Sequence, residues 1–145
     1  MSPALASAGY SGTPLAQKLG LKDGQSALFL DLPDTLAELA TAREFAAVEQ
    51  SGWERLATAR DFDYIHGFTT SRRVLEAGAK PLAAAIRPNG TVWVSWPKKA
   101  SKLATDVDEN VLRELLLPTG LVDVKVAAID AIWSGLKFMV RRELR

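Results

Sequence analysis

The chain has 145 residues, 48% of them hydrophobic and 24% charged, and its 18 Lys and Arg stand against 17 Asp and Glu for a net charge of +1. These values suit one globular domain over residues 1–145 and exclude a disordered, collagenous or coiled-coil chain; they also lack the clustered basic excess of a general nucleic-acid binder. The absence of Cys excludes disulfides, thiolate metal sites and a cysteine nucleophile, and a single His excludes a multi-histidine metal centre.

The longest apolar runs, Ala27 to Leu30 and Val126 to Ile129, are far shorter than the roughly 18 residues a membrane span needs. Met1 to Gly12 has neither the basic start nor the long apolar stretch of a signal peptide, so a cytoplasmic protein without membrane contacts is expected.

In chain order, Met1 to Ala8 reads as a frayed terminus and residues 9–14 as a turn-rich segment. Pro14 to Leu19 suits a short helix stopped by Gly20. Ser26 to Leu32 is a strand with consecutive apolar residues, the mark of a strand covered on both faces, and Pro33 ends it. Thr35 with Glu38 has capping-box spacing, and Leu36, Leu39, Ala40, Phe45 and Val48 extend a helical stripe to Gln50, with Ser51-Gly52 as the stop. Trp53 to Ala59 is read as a short strand and Asp61 to Phe68 as a firmer one. Thr70 or Ser71 caps a helix to Ile86, with Pro81 predicting a kink or break near Lys80. Residues 87–90 read as a turn before the β-branched and aromatic strand Thr91 to Trp96. A polar connector, Lys98 to Ala104, leads to a helix opened by Asp106 and Glu109 as a capping box and closed by Pro118-Thr119-Gly120. Leu121 to Ile129 and Leu136 to Val140 are two strands joined by a hairpin turn, so this last pair is antiparallel. Strands alternating with helices predict a mainly parallel sheet with helices on its faces.

A Rossmann-like sheet ending in an antiparallel hairpin resembles the class I S-adenosylmethionine-dependent methyltransferase fold. The residues carrying that resemblance are Leu82 to Val94, which look like the superfamily's helix, Pro-Gly turn and fifth strand, and Asp61 to His66, which look like its fourth strand. The chain also resembles a family of small uncharacterised bacterial proteins known as a domain of unknown function. There the likeness lies in Gly9 to Gly20, Trp93 to Lys99, Gly120 to Val126 and Asp130 to Phe138, and it brings no activity with it.

The methyltransferase resemblance implies S-adenosylmethionine lying across the carboxyl ends of the first strands. A glycine-rich turn after strand one and an acidic residue after strand two would hold it. Here strand one is followed by Asp31-Leu32-Pro33-Asp34, without glycine, and the second strand read at residues 53–59 has no carboxylate before Asp61. No bound cofactor is therefore expected. The reading is a non-catalytic or cryptic ligand-binding protein on a methyltransferase-like scaffold, partnered by a small molecule or a protein rather than nucleic acid. The alternatives are a divergent S-adenosylmethionine-dependent small-molecule methyltransferase and a protein-interaction module.

Several clusters can be weighed as sites. Lys98 and Lys99 after a central strand can hold an anion with Trp96 as a stacking wall; a solvated loop and a core Trp is the plainer reading. Asp123 and Lys125, two apart on a strand, would share one face, with Val122, Val124 and Val126 on the other. With Lys137 and Arg141 on the next strand they would form a charged pocket in which Lys125 or Lys137 binds an anion, or simply cross-strand ion pairs. Trp133 beside Asp130 and Ser134 is a partner anchor or a hairpin anchor. Tyr10 and Ser11 with His66 would be needed for a serine nucleophile, but His66 reads better as a packed, hydrogen-bonded side chain.

Overall fold

The computed structural model describes residues 14–145. Their strands are β1 (Ser26–Leu30), β2 (Ala47–Ser51), β3 (Phe62–Phe68), β4 (Ile86–Pro97), β5 (Leu121–Ala128) and β6 (Trp133–Val140), and their α-helices are α1 (Leu15–Lys18), α2 (Arg72–Ala85) and α3 (Glu109–Leu116). The strands form one six-stranded sheet in the order β2-β1-β3-β4-β6-β5. The first four in that order are parallel, and β6 runs antiparallel to both β4 and β5.

The continuous apolarity of β1 has a direct cause. Leu28 and Leu30 enter the core cluster shared with Leu75 and Leu82 of α2 and Leu112 and Leu116 of α3. Ala27 and Phe29 enter a second cluster on the opposite face, with Leu19, Leu21, Leu36 and Leu39. Successive strand residues point to opposite faces, so a strand between two covered faces must be apolar throughout. Trp93 of β4 is fully buried in the second cluster, and its indole N–H donates to the Leu19 carbonyl at 3.0 Å, tying α1 to the sheet.

Five local expectations are corrected. The helix expected to run to Gln50 is a 3-10 stretch, Asp34–Thr41, followed by strand β2, and Thr35 makes no capping bond because Pro33 stands at the N-cap. Strand β2 is an edge strand, so its sequence Ala-Val-Glu-Gln-Ser need not alternate, and its pairing with β1 overrides helical spacing. Trp53–Ala57 is a 3-10 turn rather than a strand. Its spacing puts Trp53 and Leu56 on one side, where both meet Gly78 of α2. Residues 87–90 lie within β4, bulged out where the register against β3 shifts between Phe62 and Tyr64. Finally, Asp106 caps α2 rather than α3: its Oδ1 accepts the Arg72 N–H at 2.7 Å, while Asp108 Oδ1 accepts the Val111 N–H of α3 at 2.9 Å. Helix α2 runs unbroken through Pro81.

Candidate functional site

Four parallel strands bring their carboxyl ends to one edge. Between β1 and β3 the winding reverses: β1 turns outward to β2, and from β3 the order runs on to β4. In open α/β sheets a ligand crevice opens outside the carboxyl ends at such a switch point. In this chain the point is flanked by Asp31-Leu32-Pro33 after β1, Gly52-Trp53-Glu54 after β2 and Thr69-Thr70 after β3.

Asp31 leaves β1 with φ at 53°, in the left-handed region that favours glycine and that Asp tolerates better than most residues. Its N–H donates to the Ser51 carbonyl at 2.8 Å, so β1 and β2 stay joined at this corner. Pro33 contributes no N–H. Burial, and then the charge of Glu54, push the Asp31 carboxyl above the usual carboxylate range, which places two acids together at this end of the sheet. The Glu54 carboxylate folds back over Gly52, where a Cβ would collide with its oxygens.

Glu54 also corrects the sequence reading. The second strand ends at Ser51, not Ala59, so an acidic residue does follow strand two. The signal for it is Ser51-Gly52, which ends an edge strand as well as it stops a helix.

Two tryptophans frame this end of β3. The Trp53 indole N–H donates to the Phe68 carbonyl at 3.0 Å, and its ring lies where a Cβ on Gly67 would stand. On the other face Trp133 meets the Phe68 ring edge-on, with centroids 5.4 Å apart. Beneath them a buried chain links Tyr64 Oη to His66 Nδ1 at 3.3 Å and His66 Nε2 to Ser95 Oγ at 2.7 Å. All three residues are fully buried. Burial holds the imidazole neutral, with a pKa lowered to about 3, and pushes the Tyr64 phenol well up. His66 and Ser95 thus have the spacing of a base and a nucleophile, but neither is reachable by a substrate, and the pair serves as core polar packing.

The other residues singled out from sequence are scattered. Tyr10 and Ser11 lie outside the described residues. Trp96 is buried in the α2–α3 core cluster and offers no open stacking wall, while Lys98 and Lys99 begin the loop after β4. Trp96 and Trp133 pack into different core clusters, so they do not make one surface patch. Asp123 and Lys125 do not share a face. A bulge puts Asp123 opposite Phe138 and Lys125 opposite Lys137, neighbours that point to opposite sides of β6. Asp123 therefore turns to α3, where its carboxylate accepts from Arg113 at 2.9 Å. Val122, Val124 and Val126, on this edge strand, are exposed instead of buried.

Against solved structures the chain is similar to a SAM-dependent methyltransferase from Aquifex aeolicus (TM-score 0.62, 15% identity, covering 86% of this chain and 86% of that one). It is also similar to magnesium protoporphyrin IX methyltransferase from Synechocystis PCC 6803 with bound SAM (TM-score 0.58, 14% identity, covering 86% and 73%). A third is the N-methyltransferase NodS from Bradyrhizobium japonicum (TM-score 0.59, 12% identity, covering 86% and 92%). The chain has the Rossmann-like fold of SAM-dependent methyltransferases. No family model matches the sequence, and no curated protein matches it. Among the described residues no group of His, Cys, Asp or Glu is placed to hold a metal ion, and no helix is long and apolar enough to cross a membrane.

Whether this edge suits S-adenosylmethionine can be tested on its own residues. Glu54 fits the ribose end, since a carboxylate after β2 accepts from a diol. The acid pair fits a cationic ligand, which would relieve the repulsion between Asp31 and Glu54. The turn after β1 fits less well, because Pro33 removes one amide that a glycine-rich turn would offer.

Proposed function

We propose that the crevice at the carboxyl ends of β1, β2 and β3 binds S-adenosylmethionine and that the chain is a divergent small-molecule methyltransferase. The observation that carries the reading is Glu54, set beside Asp31 on a fold whose solved neighbours are SAM-dependent methyltransferases. Glu54 would hold the ribose hydroxyls, and the acid pair would favour the cationic end of the ligand. When bound, S-adenosylmethionine supplies an electrophilic methyl group. Calorimetry of the full chain with S-adenosylmethionine and S-adenosylhomocysteine tests this. Binding at micromolar concentration, weakened about tenfold or more by Glu54→Ala, is expected, a loss of about 1.4 kcal/mol or more.

Pro33 favours a second reading, a binding scaffold that has lost its cofactor. No heat of binding from either compound at millimolar concentration would overturn the methyltransferase reading and leave this one.

A further inference from the structure

The opposite end of the sheet holds a second cleft. It has a volume of about 410 Å³ and lies at the amino ends of β1, β3 and β4, between the loop after α1 and β6. A cleft of that size admits a small organic molecule. The bulge in β4 opens it, since Asn89 and Thr91 line it from within and just beyond the bulged residues.

Its charge is unusual. Lys22 comes from the loop before β1 and Lys137 from β6, and both line the cleft. Lys125 stands opposite Lys137 in register on β5. All six ion pairs among the described residues use an arginine, so none engages these lysines. Two carboxylates, Asp23 and Asp63, line the cleft as well. Asp63 accepts the Ser26 N–H at 2.8 Å and Arg87 at 3.1 Å, and Asp23 Oδ1 accepts the Glu44 N–H at 2.8 Å. Lys137 is half-buried, and its burial, with Lys125 and then Lys22 close by, disfavours its charge.

Asp63 is engaged by Arg87, which leaves three lysines against the single carboxylate of Asp23; the excess cations repel one another, and a bound anion reverses that cost. The Asn89 amide and the Thr91 hydroxyl add neutral donors of the kind an oxyanion accepts from. The geometry points to a site for a small phosphoryl compound in this cleft, its oxyanion held by Lys22 and Lys137, with Lys125 adding positive charge from the neighbouring strand. The site is separate from the crevice at the carboxyl ends and does not depend on the activity proposed there.

Amide chemical shifts of the full chain, followed at constant ionic strength against inorganic phosphate and ribose 5-phosphate, test the site. Saturable shifts at Gly24, Thr91 and Lys137 are expected, and binding weaker by about tenfold or more in Lys137→Gln and in the exposed-loop variant Lys22→Gln. Lys80→Gln, on the exposed side of α2, should bind as the unaltered chain does. Tighter binding of the sugar phosphate than of phosphate identifies an ester as the ligand class, and equal binding identifies free phosphate; both support the site. Shifts that stay linear with both compounds, or a loss in Lys80→Gln equal to that in Lys137→Gln, would overturn it.

Discussion

The buried imidazole makes stability depend on pH in a defined direction. His66 is fully buried and titrates near about 3, against an ordinary value of 6.5 in the unfolded chain. Above pH 6.5 neither state binds the proton, and the group has no effect. Below it the unfolded chain takes up a proton that the folded chain refuses, so stability falls as pH falls. The slope approaches about 1.4 kcal/mol per pH unit, and the integrated loss between pH 6.5 and pH 4 is about 3 kcal/mol. That is a large share of the roughly 5–15 kcal/mol that holds a domain folded. Urea unfolding of the full chain at intervals from pH 7.5 to 4 measures the loss. The comparison chain is His66→Gln, whose amide can still bond Tyr64 and Ser95 but does not titrate. Carboxylates contribute equally to both chains, so the difference between their slopes belongs to the imidazole. Should the two curves run parallel, or should nitrogen-resolved spectra show the ring protonating above pH 5, the argument from burial fails.

Other consequences follow from particular contacts. Gly67→Ala would push a methyl into the Trp53 ring, and overpacking of this kind costs about 1–3 kcal/mol; denaturant midpoints and Trp fluorescence together would show the loss and the displaced indole. Asp31→Asn should stabilise the chain at pH 7 by about 0.2–1 kcal/mol, because it removes a charge that Glu54 opposes while keeping a residue that accepts a left-handed φ. The Asp31 pKa is raised on folding, so the gain should fade as the pH drops through the carboxylate range, and an unchanged gain at pH 3 would contradict it.

Much of the architecture is legible in the chain itself. The unbroken apolar run Ala27 to Leu30 specifies a strand covered on both faces, and it is buried on both. The β-branched and aromatic Thr91 to Trp96 specifies a central strand. Short-range signals of this kind depend on neighbours a few residues apart, and so they survive in one dimension. The turn after strand one lacks glycine on inspection, and Asp31 and Pro33 stand there in the folded chain.

Tertiary structure alone decided the rest. Ala47 to Ser51 has no strand pattern of its own and becomes β2 only because β1 offers it a ladder of backbone partners. That pairing moves the end of the second strand and thereby makes Glu54 a site residue. A single extra residue in β5 sends Asp123 to α3 and Lys125 to Lys137, which a period of two cannot foresee. Lys22 and Lys137 lie far apart along the chain and meet because β6 inserts beside β4. Each of these outcomes depends on which distant backbone supplies the hydrogen bonds, and no local preference encodes that choice.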